Sequence, residues 1–144
     1  MAKAIAKGLL QQGTDSLTAS SPSLTVGVNQ DGIKTYNDNK EAIKKNDVII
    51  LAVKPFLMNT VLLEIAPVLA PNCLILSVAA GLSLSWFNSH GLDKKAVIRT
   101  MPNTPAAVSM AATPLIANEF VNAEQKNSAE RIFSSIGITT WAKQ

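Results

Sequence analysis

Val97-Ile98-Arg99-Thr100-Met101-Pro102-Asn103-Thr104-Pro105 carries an apolar strand into a loop pinned by two prolines, with Asn103 held between them. Each proline sets its own φ at about −65° and pushes the residue before it out of the helical region. Met101 and Thr104 are therefore biased towards extended conformations, and Asn103 has little freedom. A rigid loop beyond the carboxyl end of a strand is where open α/β sheets bind ligands. A carboxamide there offers both a donor and an acceptor, which suits recognition of another amide. The plain alternative is a strand-to-strand turn, since Pro and Asn are also common turn formers.

Outward from this stretch, the chain alternates strands with helices. Val48 to Val53 and Cys73 to Val78 are continuous apolar runs. Strands covered on both faces read this way, because neither face needs polar residues. Further strands are expected at Ser16–Ala19, Ile33–Thr35, Ala96–Thr100, Thr113–Ala117 and Ile138–Trp141. Helices are expected over Met1–Gln12, Lys40–Lys45 with Asn39 as cap, Phe56–Leu69 with a kink or an earlier end at Pro67, Ser83–Asn88 and Asn122–Ser135. Ile5 and Leu9 share the apolar face of the first helix, Lys3 and Lys7 the polar one, and Gly13 is a suitable terminator. This alternation predicts an α/β fold, a mostly parallel sheet with helices on both faces.

Composition narrows the function. The 144 residues fit one domain, and 47% apolar against 16% charged residues describes a chain with a real core. A net charge of +3, from 13 basic and 10 acidic residues without a dense basic cluster, gives no electrostatic footprint for nucleic acid. Cys73 is the sole cysteine, which excludes an intrachain disulfide. No uncharged apolar stretch is long enough to cross a bilayer, and Lys3 and Lys7 interrupt any signal-peptide core. A cytoplasmic protein is expected, without nucleic-acid or membrane partners and without a metal site. His90, in Asn88-Ser89-His90-Gly91, has no acidic or nucleophilic neighbour in sequence and reads as a solvated loop residue.

Three expected strand ends carry small or rigid groups: Ala52-Val53-Lys54-Pro55, Ala79-Ala80-Gly81 and Met101-Pro102-Asn103. Small side chains there let a flat ligand approach the backbone, although tight helix–sheet packing selects the same residues. Together with Ser20-Ser21-Pro22, the order of these motifs resembles the cofactor domain of the pyrroline-5-carboxylate reductases, the enzymes that complete proline synthesis. The likeness runs from Met1 to about Trp141 and is most specific over Val97–Pro105. It implies a Rossmann-type domain, NADPH or NADH as cofactor, a small cyclic imine as substrate, and a homo-oligomer for the complete protein.

The resemblance also implies contacts. Met1 matches the end of the family's glycine-rich phosphate loop. Ser21 and Ser23 fall at the adenosine ribose and any 2′-phosphate, with Asn39 near the same half. Ala52, Val53, Lys54 and Pro55 follow the cofactor across the sheet edge; Ala79, Ala80 and Gly81 back the nicotinamide, with Pro102 and Asn103 near its ring. The serines favour NADPH, because no carboxylate stands after Ala19 to hold a free ribose 2′-OH and hydroxyls can donate to phosphate. No catalytic residue is expected in these residues: a protonated C=N bond accepts hydride directly, and orientation supplies much of the rate.

Measured against that family, the sequence starts just after the first strand and its glycine-rich turn, and stops before the helical dimerisation domain. Ala111 stands where family members commonly have glycine, and Ser20 to Gly32 is short for the usual crossover. The chain is thus expected to be incomplete at both ends, to expose unpaired strand edges, and to be inactive alone. Two readings stay open, the cofactor domain of a reductase and a non-catalytic remnant that keeps the nucleotide-binding fold; a hydroxyacid-type dehydrogenase fits the Met-Pro-Asn-Thr-Pro loop poorly.

Overall fold

A computed structural model describes residues 2–14, 16–43, 48–101 and 111–142. Helix α1 (Ala2–Gln11) leads into β1 (Thr18–Ser20), β2 (Gly27–Val28) and β3 (Lys34–Tyr36), and the one-turn α2 (Asn39–Ala42) leads to β4 (Val48–Leu51). Then follow α3 (Met58–Ile65), β5 (Leu74–Ser77), α4 (Leu84–Ser89), β6 (Ala96–Thr100), β7 (Ala111–Ala117), α5 (Ala123–Ser134) and β8 (Gly137–Trp141).

The strands form two sheets among the described residues, ordered β1-β3-β2 and β4-β5-β6-β7-β8. In the larger, β4–β5, β5–β6 and β7–β8 are parallel and β6–β7 is antiparallel, with Thr100 opposite Leu115 and Ile98 opposite Ala117. The parallel pairs at β4–β5 and β5–β6 are joined by α3 and α4, as parallel strands require a crossover. The expected α/β class with a mostly parallel sheet is therefore observed.

Residues 74–77 of β5 are all buried, so this strand is covered on both faces of the sheet. Its successive side chains split between two cores. Ile75 joins Ile49, Leu51, Met58, Leu62, Ile65, Phe87 and Val97 on one face. Leu74 and Leu76 join Ile5, Leu9, Ile98, Leu115, Ala129 and Phe133 on the other. The period of two along a strand imposes this division, and it explains why the sequence shows an unbroken apolar run.

Several boundaries differ from the sequence expectation. Asp38, not Asn39, caps α2: its carboxylate accepts from the Lys40 amide at 3.0 Å. Asn39 is the first helical residue, and its Oδ1 instead accepts the Ser20 hydroxyl at 2.7 Å. Two adjacent cap formers compete here, and a partner distant in sequence takes one of them. The expected Phe56–Leu69 helix is broken into 3₁₀ turns at Pro55–Leu57 and Ala66–Val68 around α3. In both turns the proline sits at a first-turn position, where its missing N–H costs nothing. Strand β2 was not expected; it is two exposed residues that pair with β3.

Candidate functional site

A cavity of about 600 Å³ opens between β1 and β4. Its walls include Leu17 to Ser20 from one strand region and Val48 to Leu51 from the other, with Ile5 and Leu9 of α1 among its lining. Ser21 follows the carboxyl end of β1, while Ala52 and Val53 follow that of β4; all three line the cavity, as does Asn39. Four of the expected contact residues are thus brought around one space.

The polar groups at this end are arranged as a short hydroxyl cluster. Ser21 Oγ lies 3.2 Å from Ser23 Oγ, and the Ser23 amide reaches back to Ser21 Oγ at 3.5 Å. The Ser21 amide donates to the Tyr36 carbonyl at 3.1 Å, which ties the turn to β3. Asn39 is half-buried, held by Ser20. Asp38, the nearest acidic residue in sequence, has its carboxylate engaged with the α2 amide.

The remaining expected residues sit elsewhere. Ser23, Lys54 and Pro55 are exposed and are not part of the cavity wall. Ala79 is 4% exposed and packs in the core beside Leu84, its amide donating to Ser77 Oγ at 3.2 Å. Ala80 and Gly81 are exposed at the carboxyl end of β5. Gly81 has φ +80°, and a Cβ added there would touch nothing within 4 Å. Backbone conformation, rather than close packing, is what requires glycine at this turn. Met1, Pro102 and Asn103 lie outside the described residues.

Sequence reasoning did not assign Thr60, Val61 or Glu64 to the site, and the fold brings them to the cavity from α3. It also passed over Arg99, half-buried on β6, whose Nε is shielded from solvent without a hydrogen-bond partner among the described residues. No local pattern marks these positions; they become neighbours only through the crossovers.

Other reactive side chains have structural surroundings. His90 stacks on Trp86 with ring centroids 3.9 Å apart, and its Nδ1 lies 2.6 Å from the Trp86 carbonyl oxygen. Burial pushes the Cys73 thiol above its ordinary pKa, with Lys95 opposing. Since the thiolate is the nucleophile, this disfavours reactivity. Among the described residues no group of three His, Cys, Asp or Glu could hold a metal, and no helix is long and apolar enough to cross a membrane.

The cavity end fits a dinucleotide. Ala2 and Ala6 place the first part of α1 on the cavity, and the first turn of α1 carries no acidic residue. A helix amino terminus favours an anion such as a pyrophosphate. The serine hydroxyls can donate to a ribose phosphate, and the apolar walls suit a purine ring.

Comparison with known proteins gives a consistent outcome. The family model described as NADP oxidoreductase, coenzyme F420-dependent, matches residues 1–81. The chain is 36% identical to a pyrroline-5-carboxylate reductase of Pseudomonas aeruginosa, over 98% of this chain and 54% of that protein. A pyrroline-5-carboxylate reductase structure from Coxiella burnetii superposes with a TM-score of 0.92 at 31% identity, covering 99% of this chain and 55% of that one. The NADP-bound pyrroline carboxylate reductase of Plasmodium falciparum gives a TM-score of 0.87 at 28% identity, over 98% and 53% of the two chains. The chain spans about half the length of the relatives it matches.

Proposed function

Because this chain belongs to the family described as NADP oxidoreductase, coenzyme F420-dependent, we propose that it acts as the NADPH-binding domain of a reductase that converts 1-pyrroline-5-carboxylate to L-proline. The observation that carries this reading is the similarity to a pyrroline-5-carboxylate reductase over 98% of the chain. A helical domain beyond these residues completes the substrate site and the homo-oligomer.

When bound, the cofactor supplies a hydride from its nicotinamide ring. The chain's own residues bind and orient. Ser21 and Ser23 donate to the adenosine end, and Asn39 lies beside them. Ala52 to Pro55 follow the cofactor along the sheet edge. Ala79 sets the β5 turn from within the core, so that Ala80 and Gly81 can back the nicotinamide half. Met1, by its match to the end of the family's phosphate loop, would serve the pyrophosphate, and Pro102 and Asn103 the nicotinamide ring. Holding ring against ring is worth several kcal/mol, on the order of what orientation supplies elsewhere.

Two substitutions separate these roles. Ser21→Asp places a carboxylate where a 2′-phosphate would sit. The ratio of kcat/KM for NADPH to that for NADH is expected to fall by about tenfold, or ~1.4 kcal/mol. A ratio that stays constant would make the serines a turn and nothing more. Asn103→Ala removes one hydrogen bond to the nicotinamide end, with an expected loss of roughly tenfold to a hundredfold in kcat/KM, about 1–3 kcal/mol. An unchanged kcat/KM would remove Asn103 from the site.

The reading as a whole is tested by NADPH titration together with NADPH oxidation dependent on 1-pyrroline-5-carboxylate. Both are measured on the polypeptide that carries this domain with the further segment of its relatives. Saturable binding with imine-dependent oxidation is expected. Binding without oxidation would favour a nucleotide-binding module of the same fold instead.

A further inference from the structure

The turn between the antiparallel strands β2 and β3 is built around one residue. Asn29 Oδ1 accepts the Asp31 amide at 2.9 Å and the Ile33 amide at 3.0 Å. The Asn29 main chain closes two further bonds: its carbonyl accepts the Gly32 amide at 3.0 Å, and its amide donates to the Ile33 carbonyl at 2.9 Å. A carboxamide oxygen can take two donors, which is how an asparagine fixes a turn. Gly32 sits at φ +82°, and a Cβ added there would meet nothing within 4 Å. Asp31 and Gly32 are exposed, while the next residue, Ile33, is buried and lines the cavity.

Asp31 is the only aspartate in the chain followed by glycine, and no asparagine is. An aspartyl carboxyl can react with the amide nitrogen of the next residue, and a glycine, lacking Cβ, hinders that approach least. The Gly32 nitrogen attacks Cγ of the protonated Asp31 carboxyl. An N–Cγ bond forms, and the carboxyl hydroxyl leaves with the amide proton as water, giving a five-membered succinimide. Water then adds to the main-chain carbonyl carbon of Asp31 and the original peptide C–N bond breaks. The chain now runs through the side-chain carboxyl as isoaspartate. One water leaves and one returns, so the mass is unchanged. Ring closure needs rotation about the Asp31 Cα–C bond, which turns the Gly32 amide away from the Asn29 carbonyl. The reaction therefore proceeds from an opened turn, whose population is set by the bonds that Asn29 makes.

We propose that Asp31 is the chain's site of spontaneous isoaspartate formation and that Asn29 is the latch that sets its rate. Asp38, in contrast, has its carboxylate on the Lys40 amide at 3.0 Å and is followed by Asn39. Isoaspartate at position 31 lengthens the main chain by one bond between Asn29 and Ile33. Asn29 then no longer bridges to both the amide and the carbonyl of Ile33, and the Ile33 wall of the cavity loses its anchor. β3 carries the change towards Ser21, whose amide donates to the Tyr36 carbonyl. The modification does not depend on which nucleotide or substrate the domain serves.

The test is incubation of the chain at neutral pH over several weeks, with isoaspartate located by peptide mapping. The product is read as a fragment that changes retention without changing mass and that accepts a methyl group from an isoaspartate-specific methyltransferase. Isoaspartate is expected at position 31 before any other aspartate, and roughly tenfold more slowly than in a synthetic peptide of residues 26–36, which has no fixed turn. Asn29→Ala removes two hydrogen bonds and should raise the rate in the chain roughly tenfold. Asn29→Asp keeps an acceptor oxygen and should stay within about twofold of the parent. First appearance at another aspartate would overturn the site. Equal rates in the chain and the peptide, or in the parent and a folded Asn29→Ala, would overturn the latch. Should Asn29→Ala fail to fold, as read by rapid amide exchange at residues 74–77, the comparison of chain with peptide decides alone.

Discussion

Phe87→Ala is expected to destabilise the domain by about 3–5 kcal/mol, the range found when a large buried ring is truncated. Phe87 is 0% exposed and lies in the core with Met58, Leu62 and Ile75. It also meets the Trp86 ring edge-on at 5.2 Å between centroids. Helix α4, Leu84–Ser89, is too short to persist through its own hydrogen bonds, so burial of Leu84 and Phe87 is what holds it. The Ser83 cap, accepting from the Trp86 amide at 3.1 Å, contributes about 1 kcal/mol and cannot replace the ring. Domains of this size have a total stability of about 5–15 kcal/mol, so the loss is a large part of the whole. Urea denaturation should show a lower midpoint with an unchanged slope. A loss below about 1 kcal/mol would mean that the cluster refills the space, which large-to-small substitutions rarely allow.

Gly8→Val is expected to cost about 3 kcal/mol, at the upper end for forcing atoms into a packed contact. An added Cβ at Gly8 would lie 2.7 Å from Ser135 Oγ, 2.9 Å from the Ser135 carbonyl oxygen and 3.1 Å from Ile136 Cγ2. Replacing a helical glycine ordinarily stabilises a helix by a few tenths to about 1 kcal/mol. Here that gain is outweighed, because a backbone carbonyl cannot rotate away as a side chain can. Ser135→Ala in the same protein should recover only the part due to the hydroxyl. The check is thermal melting of the single and double variants; a Gly8→Val protein as stable as the parent would show that α1 slides freely over the end of α5. Such sliding would also displace Ile5 and Leu9, which line the cavity.

The positions of β4, β5 and β6 were legible because strands covered on both faces produce apolar runs that little else produces. Helix α5 was expected over Asn122–Ser135, and its start is a capping box: the Asn122 side chain accepts from the Gln125 amide at 2.8 Å while Gln125 Oε1 accepts from the Asn122 amide at 3.0 Å. Cap, box and periodicity are all local. The motif order at strand ends, which led to the family, is also carried by sequence alone.

Other features depend on residues that meet only after folding. Asp38 and Asn39 are equivalent as cap formers along the chain, and the choice between them follows from Ser20, whose hydroxyl claims Asn39. Ala79 and Ala80 are identical in sequence, yet one is buried beside Leu84 and the other is exposed, because the β5 turn points only one of them at the core. The antiparallel pairing of β7 with β6, Arg99 opposite Ile116, is visible only once the strands are placed side by side. Gly8 reads as a weak point in a helix until α1 meets Ser135, where it becomes the residue that permits the contact. Local propensity and periodicity act over a few neighbouring residues and so determined the elements and their order by sequence alone. Which edges, walls and hydroxyls share a cavity was decided by long-range packing, since that energy exists only once distant segments exclude water from between them.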